Sequence, residues 1–275
     1  MRELNGKEIA DFVKERQAKQ VRALRQSWKV FPKLAVVQTV DDPVIDAYVR
    51  MKTRYADDIL VEVVHYKVAQ ADALAQIAQL NEDASVHGII VQLPLADPAQ
   101  TDELVQAVAP EKDVDGLGST EFFDAATPLA INWLLAAYNV ELEGRPLAIV
   151  GRGRLVGAPL ERMWRASGYD VTVFDDTTED LAVTLRTFPV VVTATGVPHL
   201  ITSEMVQIGA VVIDAGTASE RGVIVGDVDE SVRQRDDVTI TPLKGGVGPL
   251  TIAALIDNVI TAARRVADSQ GQKDL

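Results

Sequence analysis

The chain contains no cysteine. That absence removes disulfides, thiolate metal sites and cysteine nucleophiles together. Histidine is nearly as scarce. His65, His87 and His199 lie far apart with no metal-ligand spacing, so no catalytic metal is expected. A basic excess is also missing: 27 Lys and Arg face 40 Asp and Glu, a net charge of -13 over 275 residues. Nothing is left over to neutralise nucleic-acid phosphates or an anionic membrane, so neither is an expected partner. A small anionic substrate is not excluded, because a site's local field can differ from the total. The apolar runs are short and punctuated, which argues against a membrane span. The first helical region carries Glu3, Lys7, Glu8, Asp11, Lys14 and Glu15, so it holds no signal-peptide core, and Lys273-Asp274-Leu275 is not an ER-retention signal. A cytoplasmic location is the expectation.

What is present suits a globular protein of one large or two modest domains, with 47% hydrophobic and 24% charged residues. Helical and strand patterns alternate from end to end, which predicts an α/β protein with parallel sheets. Helices are predicted at about 6–28, 43–58 and 71–82, and strands at 33–38, 60–68 and 88–93. The strand runs are rich in β-branched residues and too short for helices. A second unit is expected from near Pro128, with strands at about 146–150, 170–174, 189–193 and 210–214. A final helix, about 249–266, carries Asp257 and Asn258 among apolar positions and is predicted to pack back onto the first unit. Two lobes with a cleft between them follow from this order.

The most informative stretch is Leu147-Ala148-Ile149-Val150-Gly151-Arg152-Gly153-Arg154-Leu155-Val156-Gly157-Ala158-Pro159. An apolar strand ends at Gly151, the backbone turns through Gly153, and a helix is predicted from near Leu155 to carry Gly157. Such a turn lets backbone N–H groups approach a diphosphate held by the helix N-terminus. The spacing is GxGxxxG, and a tight packing turn would read the same way. Tyr48 and Lys52 lie four apart on a predicted helix and share a face. Gln92 ends a strand before Pro94, at the carboxyl end where open α/β sheets bind ligands. Singly, each also reads as structure: a solvated lysine, a core-edge tyrosine, a strand-end polar residue. Asp113-Val114-Asp115-Gly116 reads as an acidic turn. The loop Thr241-Pro242-Leu243-Lys244-Gly245-Gly246-Val247-Gly248-Pro249 suits either a backbone surface against a flat ligand or a structural lead into the last helix.

Six motifs in order carry a specific resemblance. They are Tyr48-Val49-Arg50-Met51-Lys52, Val91-Gln92-Leu93-Pro94-Leu95, Lys112-Asp113-Val114-Asp115-Gly116, Gly151-Arg152 with Val156-Gly157 and Pro159, Gly226-Asp227-Val228-Asp229, and Gly245-Gly246-Val247-Gly248-Pro249. Over nearly its whole length the chain resembles the bifunctional methylenetetrahydrofolate dehydrogenase/cyclohydrolase family. The resemblance implies a folate-binding catalytic lobe at 1–125 with a C-terminal helix at 249–275, and a Rossmann-like dinucleotide-binding lobe at 126–248. It implies oxidation of 5,10-methylenetetrahydrofolate by hydride transfer to a nicotinamide, then hydration of the methenyl product to 10-formyltetrahydrofolate. That places the chain in one-carbon metabolism and purine biosynthesis, as a homodimer. Lys52 would move the proton in hydration, Gln92 would orient Lys52 or the attacked carbon, and Tyr48 would shape the same site. Asp115 would hydrogen-bond the pterin, and Gly246 and Pro249 would wall the folate pocket. Gly151, Arg152, Gly153 and Gly157 would hold the dinucleotide, with Thr217, after the predicted strand ending at Asp214, near the nicotinamide.

The chain departs from the family at several positions. Ala126-Thr127-Pro128 and Ala130 replace Cys-Thr-Pro and a following glycine, and Ile45 and Lys244 replace a common serine and proline. The segment between Gly116 and Thr127 is shorter than usual, which bears on folate affinity more than on chemistry. Most bacterial members use NADP and carry a His-Ser pair where Asp175 and Asp176 stand here. A carboxylate at the end of that strand repels a 2′-phosphate and accepts hydrogen bonds from the ribose hydroxyls of NAD. A turn cap is the structural reading of the same pair. Arg152 pulls toward phosphate, and the balance leans to NAD. Three other functions compete with the two-step reading: a dehydrogenase-only member, a folate-binding protein without turnover, and a nicotinamide dehydrogenase acting on a small acid or ketone.

Overall fold

A computed structural model describes residues 2–118, 122–220, 223–269 and 271. In chain order the elements are β1 (Arg2–Glu3), α1 (Gly6–Ala23), β2 (Lys33–Gln38), α2 (Pro43–Asp57), β3 (Glu62–Lys67), α3 (Ala73–Glu82), β4 (Gly88–Gln92), α4 (Thr101–Gln106) and α5 (Ala126–Ala137). Then come β5 (Pro146–Val150), α6 (Gly157–Ala166), β6 (Asp170–Phe174), α7 (Leu181–Leu185), β7 (Val190–Thr193), β8 (Val211–Asp214), β9 (Ala218–Glu220), β10 (Val223–Val225), α8 (Glu230–Arg233), β11 (Thr239–Ile240) and α9 (Val247–Ser269). Every strand predicted from β-branched runs is present, within two residues of its expected ends. The predicted helix at 6–28 is helical throughout, with its last turn, Leu24–Trp28, widened to a π-helix.

The chain forms two compact units, one of residues 11–126 and 252–275, the other of residues 1–10 and 127–251. In the first, three parallel strands lie in the order β3-β2-β4. Ala35 and Val37 of β2 and Ile89 and Val91 of β4 pack with Ala73, Ile77 and Leu80 of α3. Each large aliphatic side chain buried there contributes about 1.5–3 kcal/mol. The helix that carries Tyr48 and Lys52 starts where it does because Asp42 caps it, accepting from Val44 N (2.7 Å) and Ile45 N (3.1 Å), with Pro43 in the first turn. Ile45 is buried on that helix, so an apolar residue suits the position.

In the second unit, six parallel strands run in the order β1-β11-β8-β7-β5-β6. The core joins Ala148, Val150, Phe174, Val191, Val212 and Ile240. The first ten residues belong here, whereas the sequence reading assigned them to the catalytic lobe. Arg2 and Glu3 pair with Thr239 and Ile240, a contact across more than two hundred residues that no local periodicity reveals. The helix expected from near Leu155 begins at Gly157 instead, because Val156 is still non-helical (φ −132°, ψ −68°) while the chain crosses the turn.

One helix, α9, is long and apolar enough to cross a membrane by length and composition, with 61% of its apolar window buried inside the structure. It behaves as a core helix. Gln17 of α1 donates to Ala253 O (2.8 Å) and Asp257 Oδ1 (3.0 Å), and Arg16 pairs with Asp257 at 2.7 Å.

Candidate functional site

In the three-stranded sheet the chain steps from β2 to β3 on one side and then to β4 on the other. In the six-stranded sheet it does the same from β5 to β6 and β7, and each reversal opens a crevice at the carboxyl ends of those strands. In the three-stranded sheet, β4 delivers Gln92 to that end, beside Gln38 of β2. Lys52 reaches it from α2 and donates from Nζ to Gln92 Oε1 at 2.8 Å. The Gln92 amide is oriented from its other end, since Nε2 donates to Leu93 O at 2.9 Å. The pair joins residues forty positions apart, which the sequence reading associated through the family resemblance. Burial pushes the Lys52 ammonium below the ordinary lysine range, and the Asp115 carboxylate opposes that shift. Burial raises the Asp115 carboxyl, and Lys52 opposes in turn. The two charges therefore sit in one electrostatic neighbourhood. A lysine made easier to deprotonate can exchange a proton nearer neutral pH. Tyr48 is half-buried one helical turn before Lys52.

The loop carrying Asp115 is fixed by a residue the sequence singled out without a role. Asn258 of α9, almost fully buried, donates from Nδ2 to Val114 O (2.8 Å) and Asp124 O (2.9 Å), closing both ends of the loop. Asp113 braces the interior, accepting from Gly118 N at 2.6 Å. Of the shortened segment between Gly116 and Thr127, residues 119–121 lie outside the described residues. Gly246 and Pro249 belong to the other unit, Gly246 buried just before α9 and Pro249 half-buried in its first turn. Lys244 is exposed.

The glycine-rich turn lies at the end of β5, where β6 and β7 diverge to either side. Gly151 adopts φ +96°, and a Cβ there would stand 2.6 Å from Ala194 O. A Cβ on Gly157 would meet Gly151 O at 1.9 Å, so α6 can approach the turn only without a side chain. Val156 provides no side-chain cap. Ala158 N donates to Gly153 O (3.1 Å), Leu160 N to Val156 O (2.9 Å), and Pro159 has no N–H, so Gly157 N is the amide that fronts the turn. This geometry fits a dinucleotide diphosphate. Packing does not require glycine at 153, where a Cβ would find only Ala194 O at 4.0 Å. Arg152 is exposed and pairs through Nε with Glu161 at 3.1 Å. Asp175 and Asp176 are exposed beyond β6. Asp175 caps its own turn, as the structural reading of the pair expected: Oδ1 accepts from Thr177 N (3.0 Å) and Thr177 Oγ1 (2.6 Å), which hold the carboxyl below its ordinary range. Thr217 is exposed after β8.

Behind these loops lies a buried polar cluster that sequence reasoning missed. Asp227 accepts from Thr193 Oγ1 (2.7 Å) and Thr195 N (2.6 Å), and Asp214 accepts from Arg233 Nη2 (2.7 Å) and Asp227 N (3.0 Å). Its signal was the Gly226-Asp227-Val228-Asp229 motif, quoted for the resemblance and given no structural role. Among the described residues no group of three or more His, Asp or Glu side chains could hold a metal ion.

Fold and sites together define a two-unit α/β protein, with a dinucleotide-type turn in one unit and a buried lysine–glutamine pair in the other. Residues 4–115 match the model for the catalytic domain of tetrahydrofolate dehydrogenase/cyclohydrolase, and residues 125–267 match its NAD(P)-binding domain. The bifunctional protein FolD of Bordetella avium is 37% identical over 95% of this chain and 97% of its own length. The crystal structure of the FolD dehydrogenase/cyclohydrolase of Campylobacter jejuni superposes with a TM-score of 0.91 at 35% identity, covering 97% of this chain and 99% of that one. The Trypanosoma brucei enzyme, solved with NADP and an inhibitor, gives a TM-score of 0.88 at 29% identity, covering 95% and 97%. The chain belongs to the tetrahydrofolate dehydrogenase/cyclohydrolase family.

Proposed function

We propose that this protein oxidises 5,10-methylenetetrahydrofolate to the 5,10-methenyl form and hydrates that product to 10-formyltetrahydrofolate. The observation that carries the reading is the Lys52–Gln92 hydrogen bond beside Asp115, in a chain that matches both domains of the family. The Gly151–Gly157 turn would hold the nicotinamide dinucleotide, which would supply the hydride acceptor. Loss of hydride leaves a cation shared with the substrate's own nitrogens, so this step chiefly needs positioning. Asp115 holds the pterin, and Gly246 and Pro249 wall the pocket. In hydration, water adds to the methenyl carbon, the C=N π pair returns to nitrogen, and a water proton passes to neutral Lys52 Nζ. The carbon–N5 bond then breaks, N5 takes that proton back from Lys52, and the hydroxyl loses its proton to solvent to become the formyl carbonyl. Gln92 Oε1 aims that amine, and Tyr48 shapes the space around it.

The nucleotide is NAD. The exposed Asp175 carboxylate supports this reading, because it repels a 2′-phosphate and can accept from a ribose hydroxyl. The catalytic lobe is the unit of residues 11–126 and 252–275, the nucleotide lobe the unit of 1–10 and 127–251, and Thr217 lies near the nicotinamide. The protein works in the cytoplasm as a homodimer. β3, at the end of its sheet with half-buried side chains at its centre, is the kind of edge a second copy covers.

The test follows methylenetetrahydrofolate-dependent reduction of NAD and NADP in parallel, with methenyl hydrolysis read in the same samples. Turnover with NAD well above NADP, together with hydrolysis, is expected. Turnover with NADP alone overturns the nucleotide reading and keeps the enzyme. Folate binding without turnover overturns the enzyme.

A further inference from the structure

We propose that Glu161 sets the nucleotide preference of this protein by tethering Arg152 and offsetting its charge beside Asp175. The inference rests on the reading that the nucleotide's ribose meets Asp175.

The placement comes from one backbone bond. Gly151 N donates to Phe174 O at 2.7 Å, so Arg152 and Asp175 are the first residues beyond that bond on adjacent strand ends. The charge of Arg152 is felt at the Asp175 carboxyl, helping to lower it. Arg152 is thus the cation best placed to receive a phosphate on that ribose.

Its guanidinium is already engaged. Glu161, in the second turn of α6, accepts from Arg152 Nε through Oε2 at 3.1 Å. Its other oxygen, Oε1, accepts from Arg165 Nε at 3.0 Å. Arg165 is itself anchored, donating from Nη2 to Val171 O on β6 at 2.9 Å. The Glu161 side chain is 14% exposed and that of Arg152 61% exposed, so the carboxylate is the fixed end and the arginine the tethered one. Arg152 is therefore bonded to one carboxylate, Glu161, and lies within electrostatic reach of a second, Asp175. A ribose diol is indifferent to that balance, whereas a 2′-phosphate needs an uncommitted cation. The discrimination is built from a residue nine positions from Arg152, on the helix rather than in the turn.

The experiment measures dehydrogenation with each nucleotide for the full-length protein, Glu161→Gln, and Glu161→Gln combined with Arg152→Ala. Hydrolysis of methenyltetrahydrofolate, which needs no nucleotide, is followed alongside to show that each variant is folded. Freeing an exposed arginine from one ion pair should raise kcat/KM for NADP by about three- to tenfold. Removing Arg152 as well should abolish that gain. Binding of 2′,5′-ADP relative to ADP should shift in the same sense without turnover. Should Glu161→Gln unfold, Glu161→Ala, which also removes both the tether and the charge, carries the same reading.

An NADP value unchanged or lowered in Glu161→Gln overturns the proposal, as does a gain that survives loss of Arg152. The unaltered protein's own NAD-to-NADP ratio tests Asp175 separately. A starting preference for NADP defeats the NAD reading, while the Glu161 result is still read as a change from that starting value.

Discussion

Lys52 and Asp115 are the residues whose chemistry depends most on burial. If neutral Lys52 takes the proton in hydration, the hydrolysis rate should rise with pH along a limb whose midpoint lies below the ordinary lysine value of 10.5. Asp115 raises that midpoint, so Asp115→Asn should move the limb to lower pH even as it weakens folate binding. A pH–rate series on the two proteins decides this, and a limb that stays in place removes Asp115 from the electrostatics of Lys52. Lys52→Met should lower hydrolysis by at least about a hundredfold, the usual scale for losing a positioned acid–base group. Hydride transfer should persist in that variant, because the substrate's nitrogens carry the cation. Equal loss of both activities would mean that Lys52 holds substrate rather than moving a proton.

At the level of elements, small junctions hold the sites. The contact between α6 and the β5 turn tolerates no side chain, so Gly157→Ala should cost about 1–3 kcal/mol or more through overpacking against Gly151 O. Chemical denaturation measures the loss, and nucleotide affinity should fall with it. Asn258 offers a gentler test. Replacing it with Ala leaves Val114 O and Asp124 O without their donor, at about 1–3 kcal/mol. The KM for folate should rise while the KM for nucleotide holds, since the loop fixed by Asn258 carries Asp115. The strands and long helices were legible because their β-branched runs and polar–apolar alternation are local properties. β1 and β11 were not, being two residues each and paired across the length of the chain. The antiparallel β9–β10 pair and the helices α4 and α5 also went unpredicted, and α5 is too uniformly apolar to show a clear face.

For the molecule as a whole, acid stability has a named source. His87, at the head of β4, is 5% exposed, and burial with Lys112 and Lys33 nearby lowers its pKa to about 4. The unfolded chain takes up this proton near pH 6.5 and the folded chain only near 4, so stability falls as pH drops through that window. The full effect is roughly 3 kcal/mol. Urea midpoints between pH 7 and 4 should show the decline, and His87→Gln should flatten it.

Sequence alone determined the α/β class, most of the strands and the glycine turn, and, through the family resemblance of its ordered motifs, singled out Lys52, Gln92 and Asp115 as candidates, because periodicity and motif order are written in one dimension. Only the tertiary structure decided which partners those residues have. It joined Lys52 to Gln92, set Asn258 under the Asp115 loop, gave Arg152 to Glu161, and took Arg2 and Glu3 into the six-stranded sheet. Hydrogen bonds and ion pairs form between side chains brought within about 3 Å, and that proximity comes from packing distant segments together rather than from their spacing along the chain.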